Sequence, residues 1–600
     1  MALLENELAA QVQKFMMESQ ASTWNTTSVR VAVLTLLATL LPWLLYQFLL
    51  PKPIPGIPYH KPSAGRLLGD VPDLLAHIKE TDGTFVTFLS EMIRNLDAPV
   101  VQLFYSPIKK PIVILADYRE ATDLMRRKEF DRSAKSMELM KYLGFDHHIR
   151  QKTNARWKAQ RRLIQDSMSP AFLHGVAAPT IHRRSLDLIE LWCTKARIAD
   201  GRPFTAMADL DHAVLDAVNA FAYGPSFSHS ATHPALDVVH ALESDPAAIK
   251  ALRRTSDASP NNAIKFPTGE LDTVIRASLD VSSSIAEVQG SIMPSIYWEY
   301  VIRRPGMRRA RKIKDAFITE ILHDAAHRMD TDSNTEKSAV DLMVRRAKLD
   351  AQKEGKVPDY TSKVMIDEAF GFVIAGADTT STSLAWAVKI LADNQDSQAK
   401  LRHALQVGHE RAKKEKRQPN TQEITGTSIP YLDAWIDESL RTGGTIPMID
   451  REAEADTQVL GYHIPKGTDV LCLQLGPGLM SPGLEIDDAK RAEPSPASLK
   501  EGGEVKAWDL NDIGLFKPER WLRADGTFDP NAGPHLAFGL GLRSCCGKKL
   551  AYLEMRILMT LIVWNFELLP CPKELSGYGS VMIMTSRPRQ SFVRLREVQL

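Results

Sequence analysis

Two adjacent cysteines, Cys545 and Cys546, lie in the glycine-rich stretch Phe-Gly-Leu-Gly-Leu-Arg-Ser-Cys-Cys-Gly at residues 538–547. Such a loop is costly to order, because glycine loses more conformational freedom on folding than any other residue. A thiol adds little packing there, so its chemistry is the more informative property. A zinc site is poorly supported, since no second Cys-x-x-Cys and no histidine pair lies nearby at the spacing of zinc ligands.

The stretch fits the pattern Phe-Gly-x-Gly-x-Arg-x-Cys-x-Gly at every fixed place, and it resembles the haem-binding loop of the cytochrome P450 family, the haem-thiolate monooxygenases. The resemblance implies haem b as the cofactor and a cysteine thiolate as the axial ligand of its iron, a ligand that favours O–O bond cleavage. The family pattern selects Cys545, which lies two residues after Arg543 and two before Gly547. Cys546 is then expected to be a small, partly buried apolar residue.

The resemblance also implies roles for the other residues of the loop. Gly539 and Gly541 would permit tight backbone turns beside the macrocycle, where a Cβ atom would clash. Arg543 would pair with a haem propionate, and Phe538 would shield the sulfur. Backbone N–H groups at the start of the next helix would stabilise the thiolate.

A second motif, Ala-Gly-Ala-Asp-Thr-Thr at residues 375–380, lies inside a long apolar segment, 364–391, that predicts a buried helix. Buried polar side chains need partners, and this sequence is poor material for a helix interior. One interpretation is structural: both threonines donate to carbonyl groups four residues earlier. The resemblance implies another, in which Asp378 and Thr379 border the oxygen site and manage protons there.

Glu438 and Arg441 are three residues apart on a predicted helix and therefore share one face. Pairs with this spacing also arise by chance, and Glu91 with Arg94 is another in this chain. Position favours Glu438, which lies between the apolar helix and the cysteine loop, as the structural pair of the family does. Arg520, in Pro-Glu-Arg-Trp, would be the third partner, so these three residues are expected to hold the core rather than perform chemistry.

Trp157 and Arg161 match the Trp-x-x-x-Arg of the family on a predicted basic helix. The resemblance implies that both residues, together with Arg451, reach the haem propionates. The neighbouring basic residues are typical of a solvated helix face. With Lys548 and Lys549 they could form a positive surface for an acidic redox partner.

Composition limits the function further. The net charge of +1 argues against a nucleic-acid-binding protein, which needs a strong basic excess. The five cysteines are odd in number and far apart, so they do not form a disulfide framework, and the folded part is expected in a reducing compartment.

Residues 29–50 form an apolar run that is long enough to cross a bilayer core of about 30 Å. A buried core helix is the alternative, but the run has no polar stripe. Basic residues after the run predict that the C-terminal side is cytosolic. We therefore expect a lumenal tail (1–28) with a glycosylation sequon at Asn25, a transmembrane anchor (29–50), a Pro-rich hinge (51–62) and a catalytic domain (63–600) at the endoplasmic reticulum membrane.

The rest of the chain predicts a mainly α domain with a minor β part, as the resemblance to the P450 fold implies. Two alternating runs, 100–105 and 111–116, predict a strand hairpin, and strand signals return at 458–472. Residues 481–507 are polar and rich in Pro, Glu and Lys, which indicates a solvated surface insertion. By family analogy, pocket residues are expected from 134–150, 220–300, the apolar helix, 445–450 and the turn near Gly579.

The resemblance implies insertion of one oxygen atom from O₂ into a lipophilic small molecule. Electrons would come from NADPH through a flavoprotein reductase on the same membrane, with cytochrome b5 as a candidate second donor. The anchor and insertion are similar to those of fungal members in secondary metabolism. Two alternatives stay open: a haem-thiolate isomerase or dehydratase, which needs no reductase, and a non-enzymatic membrane haem-binding protein.

Overall fold

The computed structural model describes residues 13–14, 26–81, 83–107, 109–142, 144, 146–224, 227–257, 262–289, 291, 293–331, 336–500, 506–582 and 584–599. Helices make up most of the regular structure. In chain order they are α1 (Thr26–Leu49), α2 (Val71–Thr81), α3 (Phe85–Leu96), α4 (Tyr118–Leu124), α5 (Ala134–Leu139), α6 (Ala155–Gln165), α7 (Pro170–Phe172), α8 (Ala178–Ala199), α9 (Met207–Tyr223), α10 (His233–Glu243), α11 (Pro246–Asp257), α12 (Thr273–Gln289), α13 (Pro294–Val301), α14 (Pro305–Thr331), α15 (Ala339–Lys353), α16 (Lys363–Asp393), α17 (Gln395–Gly408), α18 (Glu410–Lys414), α19 (Thr421–Gly426), α20 (Pro430–Gly443), α21 (Pro496–Lys500) and α22 (Lys548–Asn565).

The strands are β1 (Val100–Leu103), β2 (Ile112–Leu115), β3 (Phe130–Asp131), β4 (Phe204–Thr205), β5 (Met448–Ala453), β6 (Thr457–Val459), β7 (Tyr462–Ile464), β8 (Asp469–Leu473), β9 (Phe566–Leu569), β10 (Ser580–Met582), β11 (Ser586–Pro588) and β12 (Phe592–Glu597). The largest sheet has the order β1-β2-β8-β5-β3, in which only the β2–β8 pair is parallel within the described residues. Val100 pairs with Leu115 across β1 and β2, so the predicted hairpin is confirmed. The predicted class, mainly α with a minor β part, is also confirmed.

Helix α16 passes through the largest hydrophobic core and includes the predicted apolar segment 364–391. The Ser362 side chain accepts the backbone N–H of Met365 and caps its first turn. Leu384, Ala387 and Val388 are fully buried, and the helix packs against α9, α20 and α22. A helix that is apolar on nearly every side can only be stable when neighbours cover it all round.

Helix α1 coincides with the segment predicted to cross a membrane. Leu34, Leu41 and Phe48 on this helix are each more than 60% exposed. Within the part of the chain that the structure describes, no helix meets the combined length and hydropathy expected of a membrane span. Apart from residues 13–14 and 26–28, the predicted lumenal tail, including Asn25, lies outside the described residues.

The Pro-rich segment 51–62 packs against the largest sheet. Ile54 and Ile57 are buried, and the amide of Gln102 on β1 donates to the carbonyl oxygens of both at 3.0 and 2.7 Å. The same Gln102 side chain accepts the backbone N–H of Ile54 at 2.8 Å. The segment predicted to be a hinge is therefore fixed to the domain through β1.

The insertion at 481–507 docks onto α4, where the sequence predicts a solvated surface segment. Arg491 donates to both carboxylate oxygens of Asp117, the residue that caps α4. Ser498 Oγ and the backbone N–H of Ser495 donate to Asp123 at 2.6 and 2.7 Å. The prediction missed this docking because ion pairs between segments far apart in sequence leave no local pattern.

Candidate active site

The cysteine loop is shaped by two glycines whose backbone conformation other residues avoid. Gly539 has φ +60° and Gly541 has φ +68°. A Cβ on Gly541 would lie 2.5 Å from the carbonyl oxygen of Met125, which is a clash with backbone. The backbone N–H of Cys545 donates to the carbonyl oxygen of Phe538 at 2.8 Å and closes the loop.

The two sulfurs have different surroundings. Cys545 is exposed on the wall of a cavity of about 370 Å³, and α22 begins three residues later. Protein atoms around the sulfur raise the pKa of the Cys545 thiol, whereas the backbone N–H groups of Gly547 and Lys548 lower it by donating to the sulfur. Cys546 is half-buried against the main core, and burial raises the pKa of its thiol to about 11. Cys545 therefore has the access and the donors that a thiolate ligand needs.

The cavity lies between the cysteine loop and the middle of α16. It is lined by segments from α6, α16, β5 and the start of α22. Of the regions expected to form the pocket, 147–149, α16 and 445–450 line it. Among the described residues, none from 220–300 and none near Gly579 does so. Its apolar wall residues include Ile149, Phe372, Ala375, Leu440, Ile446 and Met448.

Four arginines converge on one end of the cavity: Arg132, Arg161, Arg451 and Arg543. Asn154 caps α6 by accepting the backbone N–H of Trp157 at 2.8 Å, and α6 then carries Trp157 and Arg161 to the cavity. The guanidinium groups of Arg543 and Arg161 lie 4.6 and 5.2 Å from the Trp157 ring centroid. Strand β5 supplies Arg451, which is buried. The structure thus brings the four predicted propionate partners, Trp157, Arg161, Arg451 and Arg543, to one place.

Several cations in this cluster lack a carboxylate partner at close range. Among the described residues, Arg543 Nη1 and Arg132 Nε are buried without a hydrogen-bond partner, and the nearest carboxylate to Arg543 is that of Asp131 at 3.7 Å. Burial, followed by the neighbouring cations, lowers the pKa of Arg543 to about 10. The sequence did not predict Arg132, since an isolated arginine after a short strand carries no motif.

The residues present fit haem b. An accessible thiol lies in a loop whose Gly541 packs directly against the backbone of Met125. The arginine cluster, with partnerless buried nitrogens on Arg543 and Arg132 among the described residues, matches the two carboxylates that haem carries. Cys545 would supply the thiolate that binds the haem iron, and Trp157, Arg161, Arg451 and Arg543 would hold the propionates. Phe538 also lines the cavity, with its ring 5.3 Å from that of Tyr552.

The structure separates the two residues predicted to manage protons. Thr379 lines the cavity, and its hydroxyl donates to the Ala375 carbonyl oxygen at 2.8 Å, which is the bond expected in the structural interpretation. The carboxylate of Asp378 is instead held by Arg587 at 2.8 Å and by the Thr585 hydroxyl at 3.0 Å, and Asp378 is not among the described residues that line the cavity. The Arg587 guanidinium explains this orientation, because it compensates the carboxylate charge.

Thr380 has a partner that the sequence did not predict. Its hydroxyl donates to Glu554 Oε2 at 2.8 Å, and Glu554 lines the cavity from α22. Burial raises the pKa of Glu554 to about 8, so the carboxyl group is largely protonated at neutral pH. The available signal was Glu554 as the single acid in a mostly apolar stretch of the helix, residues 550–564, whose one other charged residue is Arg556.

Glu438, Arg441 and Arg520 form one buried ion network behind the cavity. Arg441 donates to both oxygens of Glu438 at 2.8 and 2.7 Å, and Arg520 donates to the same carboxylate at 3.1 Å. Trp521 Nε1 donates to it at 2.9 Å, and Arg441 also donates to three backbone carbonyl groups. The structure therefore brings the three predicted residues together.

A helical fold around a cavity with one accessible cysteine and an arginine cluster defines the class of haem-thiolate proteins. The profile of the family described as Cytochrome P450 matches residues 89–476 and 514–588. The chain belongs to the cytochrome P450 family. The unmatched residues between the two blocks contain the predicted insertion.

Curated relatives agree with this assignment over nearly their whole length. The chain is 41% identical to cytochrome P450 monooxygenase TRI13 of Fusarium sporotrichioides, over 93% of this chain and 98% of that protein. It is 36% identical to cytochrome P450 monooxygenase GME11363 of Pestalotiopsis microspora, with 96% and 99% covered. It is 35% identical to cytochrome P450 monooxygenase xilC of Penicillium rubens, with 92% and 94% covered.

The fold is similar to that of a solved cytochrome P450, CYP102L1. The two superpose with a TM-score of 0.64 over 91% of this chain and 100% of the other. Their sequence identity is only 18%, so this likeness concerns the fold alone.

Proposed function

We propose that the protein is a haem-thiolate monooxygenase that inserts one oxygen atom from O₂ into a lipophilic small molecule. The observation that carries the proposal is the accessible Cys545 thiol, which lies on a cavity wall opposite α16 and beside the arginine cluster. Within the described part of the chain, Arg543 Nη1 and Arg132 Nε of this cluster are buried without a hydrogen-bond partner. The monooxygenase names of the three fungal relatives support it. The three relatives are fungal, and we propose a place in fungal secondary metabolism.

Haem bound at Cys545 supplies the activation of oxygen, and the chain supplies orientation, proton control and exclusion of water. The apolar wall residues hold a lipophilic substrate. Thr379 places a hydroxyl at the cavity, where it can hold a water or donate a proton. Asp378 enters such a relay only when its carboxylate leaves Arg587. Glu554, protonated behind Thr380, is a second acid close to the same wall.

The two adjacent cysteines provide a matched test. Cys545→Ser is expected to abolish the red-shifted carbon monoxide band that marks thiolate-ligated ferrous haem, because a hydroxyl is a harder and weaker donor to iron. Cys546→Ser is expected to keep the band and to lower stability by about 1 kcal/mol, the cost of a buried hydroxyl without a partner. The opposite result, with the band lost only in Cys546→Ser, would contradict the assignment of the ligand.

Electron supply separates the monooxygenase from the two alternatives. The protein, reconstituted with an NADPH-dependent flavoprotein reductase, is expected to consume NADPH when a substrate is added. An isomerase or dehydratase would turn over a peroxide without reductase, and a haem-binding protein without activity would do neither. Candidate substrates are lipophilic pathway intermediates, whose products mass spectrometry would identify.

We also propose that α1 anchors the protein to the endoplasmic reticulum membrane with the catalytic domain in the cytosol. The exposed Leu34, Leu41 and Phe48 and the basic residues that follow the helix support this proposal. Deletion of residues 1–50 is expected to release much of the protein from membranes while haem content stays largely intact. A folded, soluble truncation that has lost all haem binding would count against this division of the chain.

A further inference from the structure

A buried glutamate on α16 holds the segment that precedes α6. Glu368 is fully buried, and its Oε1 accepts the backbone N–H of His148 at 2.6 Å. Its Oε2 lies 2.7 Å from Nδ1 of the same histidine and 3.5 Å from Nε2 of His147. Gly371, one turn further along α16, leaves room for this packing, since a Cβ there would lie 2.3 Å from His147 Cδ2.

The surrounding donors decide which ring nitrogens carry protons. His147 Nδ1 accepts the backbone N–H of Ile149 at 3.2 Å, so the proton of a neutral His147 is on Nε2, towards Glu368. Burial raises the pKa of Glu368 to about 7, whereas His147 and the backbone N–H of His148 lower it. Above that pH the carboxylate form dominates, and this carboxylate also accepts from His148 Nδ1. A neutral His148 with its proton on Nδ1 has a lone pair on Nε2.

His148 stays neutral in this position. Burial, followed by the charges of Arg161, Arg543 and Arg132, lowers the pKa of His148 to about 3. The side chain is 12% exposed, the residue lines the cavity, and no described residue makes a hydrogen bond to Nε2. Nε2 is therefore a hydrogen-bond acceptor at the cavity wall that lacks a donor.

Two other occupants fit this arrangement less well. The ligand atoms of His147, His148 and Glu368 lie within 4.8 Å of one another, which is close enough for a metal ion. However, the backbone N–H of Ile149 donates to Nδ1 of His147. Nε2 of His147 therefore carries a proton, whereas a metal ion would need a lone pair there. A haem propionate has no proton to donate at neutral pH, so it does not match an acceptor either.

We propose that His148, oriented by Glu368, recognises a hydroxyl or N–H donor group on the lipophilic substrate. The inference rests on the proposed monooxygenase function for the nature of the occupant. It adds that the occupant carries a protic group, which binds the wall formed by α16 and the segment before α6. His148 is in this sense a residue that determines specificity, and Glu368 is a positioning residue.

The test compares two ligands of one shape, 2-adamantanol and 2-adamantanone, by the spectral shift of the ferric haem on binding. The wild-type protein is expected to bind the alcohol about three- to tenfold more tightly, the worth of one net hydrogen bond. His148→Phe is expected to weaken only the alcohol and so to remove the difference. Equal binding of both ligands to the wild-type protein would overturn the proposal.

The substitution Glu368→Gln has an expected result that a merely structural role of Glu368 would not produce. The backbone N–H of His148 requires an acceptor at the Oε1 position, so the new amide oxygen lies there and the NH₂ group faces Nδ1. Nδ1 must then accept, and the proton moves to Nε2. The ketone, which only accepts, is therefore expected to bind more tightly to this variant than to the wild-type protein. No gain for the ketone would contradict the orientation proposed for His148.

Ile149→Leu is the matched control, because Ile149 lines the same wall through an apolar side chain. It is expected to keep the preference for the alcohol. Each protein is first examined for the carbon monoxide band. A wild-type protein without the band would contradict the proposed function, whereas an intact band with no alcohol preference contradicts only the present inference.

A second measurement does not depend on ligand binding. Nitrogen-15 shifts of labelled histidines in the ferrous carbon monoxide form distinguish a ring nitrogen with a proton from one without. The His148 signal, identified by its loss in His148→Phe, is expected to report the proton on Nδ1 in the wild-type protein and on Nε2 in Glu368→Gln. A proton on Nε2 of His148 in the wild-type protein would overturn the proposal. This result can be obtained even when neither adamantane ligand shifts the haem spectrum.

Discussion

Replacing Glu438 by Gln tests whether the ion network behind the cavity holds the core. The side chains of Glu438, Arg441 and Arg520 are at most 5% exposed, so their charges are screened very little by water. The change leaves the Arg441 guanidinium buried without its carboxylate, although its bonds to backbone carbonyl groups remain. Removing one partner of a buried ion pair costs about 3–5 kcal/mol.

The chain offers a control with the same spacing. Glu91, in another Glu-x-x-Arg of the chain, is 49% exposed and pairs with His77 at 2.9 Å. An exposed pair contributes about 0–1 kcal/mol, so Glu91→Gln is expected to have little effect. The two substitutions remove the same charge from the same sequence pattern and differ only in burial and partners.

Thermal unfolding, followed by circular dichroism and the haem absorbance, measures both changes. Unfolding of a domain of roughly 540 residues has an entropy of about 1.1 kcal mol⁻¹ K⁻¹, so Glu438→Gln is expected to lower the Tm by about 3–4 °C. Glu91→Gln is expected to lower it by about 1 °C or less. Equal shifts for the two variants would refute the reasoning, because burial would then not decide the cost.

Three further predictions concern the cavity. Thr379→Ala is expected to keep haem and substrate binding but to divert NADPH to peroxide or water. The reason is that loss of a proton donor slows the proton-transfer step it serves about 10²–10⁴-fold. Unchanged product per NADPH would show that Thr379 has only a structural role in the helix. Gly541→Ala is expected to reduce haem retention far more than Gly539→Ala. Both substitutions place alanine at a positive φ, but only the Cβ at position 541 would lie 2.5 Å from the carbonyl oxygen of Met125. Equal haem content in the two variants would show that the backbone at Met125 moves to relieve this clash. The raised pKa of Glu554, about 8 against an ordinary value of 4.5, means that the folded state holds an extra proton between these values, so stability falls as pH rises through that window. Glu554→Gln is expected to flatten this part of the pH profile of the Tm, and an unchanged slope would argue against a protonated Glu554.

Features set by local pattern were predictable from the sequence. The alternating runs 100–105 and 111–116 predict the hairpin, and the apolar segment 364–391 predicts α16, because the spacing of apolar residues directly reflects which faces are buried. The cysteine loop could be identified because its glycines, its arginine and its cysteine lie within ten consecutive residues that form one compact turn. In each case the residues that determine the structure are close together in the chain.

Features set by contacts between distant segments were not predictable. Strand β5 pairs with β8 around position 470, and nothing in its own sequence, Met-Ile-Asp-Arg-Glu-Ala, alternates as an isolated strand would. The orientation of Asp378 depends on Arg587, more than 200 residues further along. Glu368 and His148 are likewise 220 residues apart, so their pairing exists only in the folded chain.

The docking of the insertion links the evolution of two segments. Asp117, Glu120 and Asp123 place three carboxylates on and beside the short α4, and they are balanced by Arg127 from the same region and by Arg491 from the insertion. A homologue that lost the insertion would leave this acidic group without the Arg491 guanidinium, and like charges at such short range repel. Deletion of the insertion and neutralisation of α4 should therefore occur together in divergent sequences. A homologue without the insertion is expected to have an uncharged residue at the place of Asp117.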